Sequence, residues 1–489
     1  MLFNSLEFLV FFPLVTIIYF LLPHRFRWFH LLISSCVFYM AFIPVYIFIL
    51  IFTIIIDYFA GKWIENAAGR KRKWLLSLSI VANVGVLAIF KYYNFGIDNM
   101  NAMLNQLHLN VNQIPHLGII LPIGLSFHTF QAMSYTIEVY RGKQKAEKHF
   151  GIYSLYVMFY PQLVAGPIER PQNLLHQFRE PHKFDTARVV SGLRLMMWGM
   201  FKKIVIADRL AVFVNQVYND PNNFGGLPTI VATIFFAFQI YCDFSGYSDI
   251  AIGSARVMGF NLMQNFKTPY YSSTISEFWK RWHISLSTWF KDYLYISLGG
   301  NRRSVPRWYF NLFIVFLISG LWHGASWNFV IWGALHGCFL IAGILTKPFR
   351  EKTNQFLRLT EWPKLMYAYD ISLNFLLVTF AWIFFRAKTF DDATQIISGF
   401  FKQSVSHIGD KTFFGLSSVL ALFESWDWYM LIIALLIMEM VQWFQQNHNP
   451  VDLFNKQKSM IRTGLYYAML FLILFGMMSG KADFIYFQF

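Results

Sequence analysis

The chain has 489 residues, of which 56% are hydrophobic, 20% aromatic and only 14% charged. A soluble surface needs about a quarter charged residues, so a string of three soluble domains, the reading length alone would favour, is excluded. The net charge of +15 has no soluble basic domain to carry it, which excludes a nucleic-acid-binding module, and three cysteines are too few for a disulfide framework.

The start, Met1-Leu-Phe-Asn-Ser-Leu-Glu7, lacks the basic flank of a cleaved signal peptide, so a first span at roughly 8–22 is expected to stay. Trp28 to Ile56 carries no Asp, Glu, Lys or Arg, and a span needs about 20 residues. Further segments follow at roughly 75–90, 118–138, 152–165, 192–207 and 228–242, and later at roughly 371–385, 428–445 and 463–480. Trp308 to Thr346 is also free of these charges and long enough for two spans. The expected architecture is an all-α polytopic membrane protein with about 10–12 spans in one integral-membrane domain, residues 1–489. Two polar stretches, 91–117 and 386–427, read as loops or surface helices. Cys36, Cys242 and Cys338 sit in apolar sequence, which suits buried thiols.

The charges gather in short clusters between spans: Arg70-Lys71-Arg72-Lys73, Arg141 to Lys148, Lys202-Lys203 and Arg302-Arg303. Anchoring at the cytoplasmic face and contact with anionic lipid head groups explain such clusters most simply. Binding of a phosphate-bearing donor is the sharper alternative.

Two features depart from a plain bundle. From Ile275 to Leu294 apolar residues recur at three- and four-residue intervals, placing Glu277, Lys280, Arg281, Thr288 and Lys291 on the opposite face. Such an amphipathic helix is expected to lie in the interface or line a wet cavity, with His283 at the border of its faces. Inside the 308–346 run, Ser319-Gly-Leu-Trp-His-Gly-Ala-Ser-Trp-Asn328 breaks apolar chain with glycines and an ionisable residue. Polar groups in hydrocarbon cost several kcal/mol, so the break must line a cavity or be buried in protein. His323 is then a candidate proton acceptor, against the plainer reading of a histidine that only hydrogen-bonds across helices. The chain has no nucleophile elbow, phosphate-binding glycine loop, paired Cys-x-x-Cys or His-Glu-x-x-His, so no metal site is expected.

Several longer motifs carry a resemblance: Ile120-Leu-Pro-Ile-Gly-Leu-Ser-Phe-His-Thr-Phe-Gln131, Phe159-Tyr-Pro-Gln-Leu-Val-Ala-Gly-Pro-Ile-Glu-Arg170, Tyr241-Cys-Asp-Phe-Ser-Gly-Tyr-Ser-Asp249, Phe278-Trp-Lys-Arg-Trp-His-Ile-Ser-Leu-Ser287 and Gly320-Leu-Trp-His-Gly324. Together they resemble the membrane-bound O-acyltransferase (MBOAT) family, in its bacterial alginate O-acetyltransferase branch. The resemblance implies a ring of tilted helices around a central funnel in a bacterial inner membrane, with interfacial amphipathic helices. It implies a catalytic histidine at His323 and a companion at His283. It also implies that acetyl groups pass from a cytoplasmic thioester, acetyl-CoA being the expected donor, to hydroxyls of an exported polysaccharide. No bound cofactor is expected. Expected partners are membrane lipids, an extracytoplasmic SGNH-type transferase and polysaccharide-export machinery. His128 stands where the family usually has tyrosine, which removes that position from the catalytic candidates.

On this reading Lys280, Arg281 and Lys291 meet the donor phosphates, Trp322 shapes the funnel, and Ser326, Asn328 or His283 stabilises the oxyanion. The tail from residue 478 to 489 contains Phe484-Ile-Tyr486. Interfacial aromatics would explain it, but Phe484-Ile-Tyr-x-x-Phe489 resembles the terminal motif of the small peptide partner in bacterial D-alanylation systems. That likeness implies Tyr486 as a covalent acyl relay, with His323 taking the phenol's proton. Two alternatives remain open: a proton-coupled transporter or channel using His323 and His336, and an MBOAT acting on a lipid or small metabolite.

Overall fold

The computed structural model describes residues 1–109, 113–118, 121–401, 416–448, 454–476 and 484–485, and among these it contains helices and no strand. The helices are α1 (Leu6–Leu21), α2 (His24–Met40), α3 (Ile47–Asn66), α4 (Gly69–Leu87), α5 (Tyr93–Gln106), α6 (Leu125–Tyr140), α7 (Phe150–Met158), α8 (Tyr160–Leu163), α9 (Pro171–Leu174) and α10 (Thr186–Met200). They continue as α11 (Asp208–Asn219), α12 (Leu227–Met258), α13 (Ile275–Arg281), α14 (Ile284–Trp289), α15 (Val305–His323), α16 (Trp327–Phe356), α17 (Pro363–Arg386), α18 (Phe390–Gly399), α19 (Leu416–Leu420), α20 (Ser425–Asn447) and α21 (Ser459–Phe475). Among the described residues, 7 helical stretches are long and apolar enough to cross a membrane, and α1 and α21 are shorter apolar helices. The protein is a multi-pass membrane protein.

Two compact units are present, Met1–Met196 with Tyr247–Gln264, and Met197–Gly246 with Asn265–Phe489. In the first, α3 turns Leu50 and Ile54 inward and leaves Phe48 and Phe52 exposed, an arrangement that suits lipid as the outer solvent. The same helix carries Asp57, fully buried, which accepts from Ser79 Oγ at 2.6 Å and from Asn83 Nδ2 at 2.8 Å. An acid at that depth is tolerated because its acceptor oxygens are supplied with donors. The sequence near 152–165 forms two short helices, α7 and α8, buried on nearly every side. The polar stretch after Tyr92 continues α4 as helix α5 through a π-helical turn over Ala88–Tyr92.

The turn after α8 carries Glu169, fully buried outside the spanning helices. It accepts from Asn173 Nδ2 at 2.6 Å and from the Met263 backbone. Burial pushes its carboxyl up from 4.5 to about 7, against the pull of those two bonds. The folded state therefore binds this proton more tightly than the unfolded chain. Its stabilisation is complete below the unfolded value and is lost as pH rises through the folded one. Glu169→Gln mimics the protonated form, so between pH 5 and pH 8 the wild-type melting temperature should fall relative to the variant. Parallel curves over that range would contradict this.

Three expectations need correction. The stripe from Ile275 to Leu294 is not one helix: it is α13, α14 and a π-helical turn over Phe290–Tyr295, with a break at Trp282 and His283. Lys202 and Lys203 are not lipid anchors, since only 3% and 4% of their surface is exposed. Of the three cysteines expected to be buried, Cys242 is, Cys36 is half-buried and Cys338 is exposed on α16.

Candidate active site

The site lies in the second unit and begins with the hairpin of α15 and α16. Gly320 and Gly333 face each other across it. A Cβ on Gly320 would lie 2.2 Å from the Phe329 carbonyl oxygen, and one on Gly333 would lie 2.4 Å from that of Phe316. Only glycine lets the two backbones approach this closely, the close small-residue packing that joins helices in lipid. The hairpin turns through Gly324-Ala325-Ser326, so the break in the apolar run is a helix end rather than a kink. His323 is the last residue of α15, 6% exposed. Its ring is held edge-on by Trp322 at 4.8 Å, Trp332 at 5.0 Å and Phe385 at 5.2 Å between centroids. Edge-to-face packing at these separations holds a ring in one orientation.

The second histidine is placed by the break between α13 and α14. Thr274 caps α13 by accepting from the Glu277 N–H at 3.1 Å. At the other end the chain at 265–267 takes over the backbone bonds. Lys267 N donates to Arg281 O, and Ile284 N to Asn265 O, each at 2.9 Å. Asn265 Oδ1 also accepts from Ser285 Oγ at 2.6 Å. The helix breaks because non-local partners outbid the next turn, leaving His283 left-handed at φ 43 and ψ 55. For a residue with a Cβ this conformation costs about 1–2 kcal/mol, and such strain gathers at functional sites. His283 is fully buried, edge-on to Phe244 at 4.6 Å and 6.2 Å from the Trp322 ring. Burial pushes its imidazole down to about 3, so the ring is neutral at physiological pH. It is a poor proton acceptor and a serviceable neutral hydrogen-bonding group. The Trp322 ring lies against both histidines.

The other sequence candidates fall around this core. Ser326 is half-buried at the N-cap of α16. Asn328 is buried and donates from Nδ2 to Ala387 O at 2.9 Å, tying the end of α17 to the start of α16. Arg281 is already engaged: it pairs with Glu277 at 2.6 Å and donates to Thr268 Oγ1 at 3.3 Å. Lys280 and Lys291 are exposed. Tyr486 lies outside the described residues.

Three arrangements go beyond what the sequence reading assigned to these residues. His336, one helical turn beyond Trp332, is fully buried, and its Nδ1 accepts from Trp279 Nε1 at 3.3 Å. Trp332 packs 5.0 Å from His323 and 4.9 Å from His336, an indole between two imidazoles. Lys203 Nζ sits between Asp243 at 2.7 Å and Asp208 at 2.8 Å, all three buried or nearly so. Finally, Phe484 and Ile485 are each only 1% exposed. Ile485 N donates to Asp243 Oδ2 at 2.7 Å, and the Phe484 ring lies 6.2 Å from that of Phe244. The signal for the lysine was available: a basic pair inside an apolar segment, with Asp243 in a later one, can be a buried ion cluster instead of a surface anchor.

Comparison with known proteins is decisive for the chemistry. The family model of the membrane-bound O-acyltransferases matches residues 145–390, which include His283, His323, His336 and the Lys203 cluster. The chain belongs to the MBOAT family. It is an O-acyltransferase, and that membership decides against the transporter reading. A probable alginate O-acetylase of Azotobacter vinelandii is 40% identical over 408 residues, covering 82% of this chain and 78% of the relative. A peptidoglycan O-acetyltransferase of Helicobacter pylori is 35% identical over 397 residues, 76% of this chain and 72% of the relative. A teichoic acid D-alanyltransferase of Streptococcus thermophilus is 28% identical over 236 residues, 45% of this chain and 56% of the relative.

Proposed function

We propose that this MBOAT protein, in a bacterial inner membrane, moves an acetyl or other short acyl group from a cytoplasmic thioester to hydroxyls of an exported polysaccharide. In this reading His323 is the base and Tyr486 the intermediate carrier. The relatives act, by their names, on alginate, peptidoglycan and teichoic acid, three different polymers. The observation that carries the reading is the burial of Phe484 and Ile485, the residues immediately before the tyrosine, with the Phe484 ring 6.2 Å from the Phe244 ring that packs on His283.

The donor, acetyl-CoA in the simplest case, presents its phosphates to Lys280 and Lys291, because Arg281 is committed to Glu277. His323 takes the phenolic proton of Tyr486, whose ordinary pKa of about 10 leaves it a weak nucleophile without a base. The phenolate oxygen attacks the thioester carbonyl, the new C–O bond forms, the C–S bond breaks, and the imidazolium returns its proton to the departing thiolate. The negative charge on the tetrahedral oxygen needs a donor, a role we assign to Ser326 or His283 ahead of Asn328, which gives one of its two amide N–H groups to Ala387 O. The aryl ester is then an activated acyl group. An acceptor hydroxyl attacks it, the phenolate leaves, and the acceptor's proton restores the phenol. An extracytoplasmic transferase of the SGNH type, working with polymer export, would be the partner for this second step.

Tyr486→Phe keeps the ring and removes the nucleophile. It should reduce polymer acylation to background and abolish the mass increment found on the wild-type peptide after exposure to donor. Full acylation by that variant would overturn the carrier role.

A further inference from the structure

We propose that Asp243 is the docking residue for the Phe484–Ile485 segment and thereby positions the acyl-carrying tyrosine. The proposal rests on the carrier reading above. Asp243 lies on α12, a helix apolar enough to span the membrane, where a buried carboxylate is costly unless it has work to do. Its two oxygens face two different donors: Oδ1 takes the Lys203 ammonium at 2.7 Å and Oδ2 takes the Ile485 N–H at 2.7 Å. The adjacent Phe244 ring lies 6.2 Å from that of Phe484 and 4.6 Å from that of His283. One stretch of α12 therefore fixes both the backbone and the ring of the segment beside the companion histidine.

The sequence places Asp243 there through Gly246, one turn further on. A Cβ at Gly246 would lie 2.7 Å from the Gly199 carbonyl oxygen and 3.1 Å from the Lys203 backbone nitrogen. With glycine, α12 and the chain at 199–203 touch, and the lysine reaches the aspartate. Asp208 completes the pairing of Lys203 but makes no described contact with the segment. A lone structural ion pair would need only one of the two aspartates. The second acid, with its second oxygen turned to a backbone N–H, is what the docking role accounts for.

Asp243→Asn has the right shape for the test, because an amide offers one acceptor oxygen where two donors need two. The measurement is amide hydrogen exchange on the full chain in detergent, read on the peptide containing Ile485, alongside donor kinetics. Asp243→Asn should raise the exchange rate of that peptide at least tenfold and lower kcat with KM for the thioester unchanged. Asp208→Asn should leave its exchange within about twofold of wild type. Unchanged exchange in Asp243→Asn overturns the docking role whatever Tyr486 does. Equal acceleration in both variants also overturns it, since the cluster would then be merely structural. Lost protection with undiminished polymer acylation overturns the positioning role, while failure of the carrier reading shows separately, as full acylation by Tyr486→Phe.

Discussion

Replacing His323 with alanine should lower acyl transfer by about a thousandfold, within the span that a positioned general base contributes. The ring ends α15 and is caged by Trp322, Trp332 and Phe385, so its orientation is set by packing before any donor arrives. The loss should appear in kcat, with thioester binding little changed, because the proposed function assigns the donor phosphates to Lys280 and Lys291. Alanine removes a buried ring and leaves a cavity, so His323→Gln, closer in volume, separates chemistry from packing. The glutamine variant should melt near the wild-type temperature and transfer no better than the alanine variant. Wild-type polymer acylation by either would refute the assignment.

Gly320→Ala should be nearly as damaging, for a different reason. The added carbon would lie 2.2 Å from the Phe329 carbonyl oxygen and 3.1 Å from the Gly333 backbone. Both obstacles are main chain, so no rotamer relieves them and the two helices must part. Overpacking of this kind costs typically about 1–3 kcal/mol, and backbone clashes lie at the upper end or beyond. Separation also moves Trp332 on α16 away from His323 on α15, and a shift of about 1 Å at a catalytic group can cost about a hundredfold in rate. The variant should melt several degrees lower in detergent and turn over about a hundredfold more slowly. A variant with unchanged melting and rate would show that the close approach of the hairpin does not set the site.

Much of this site is legible in the sequence, and what is not has identifiable causes. Glycines around an ionisable residue in a charge-free run mark the hairpin, because helices in lipid join through small residues and nothing polar is kept there idly. The stripe from Ile275 to Leu294 reads as one helix because periodicity reports only local preference. Its interruption depends on Asn265 and Lys267, which lie outside the stripe and take over its backbone bonds at Arg281 and Ile284. That competition gives His283 its left-handed backbone. Lys203 reads as an anchor for the same reason: local sequence shows a basic pair, and only Asp243 in a later apolar segment hints that it meets aspartates rather than head groups. Asp243 joins a lysine 40 positions earlier to an isoleucine 242 positions later, a link that no window of sequence contains.

The central claim is that His323 activates Tyr486 to receive an acyl group from the thioester. Its most direct test is a single exposure of purified protein to radiolabelled acetyl-CoA without polymer, followed by peptide mapping of wild type and His323→Gln. The label should appear on the wild-type peptide containing Tyr486, in amounts approaching one acetyl per chain, and be absent from the variant. Label elsewhere in the wild type, or equal labelling of Tyr486 in both proteins, would contradict it.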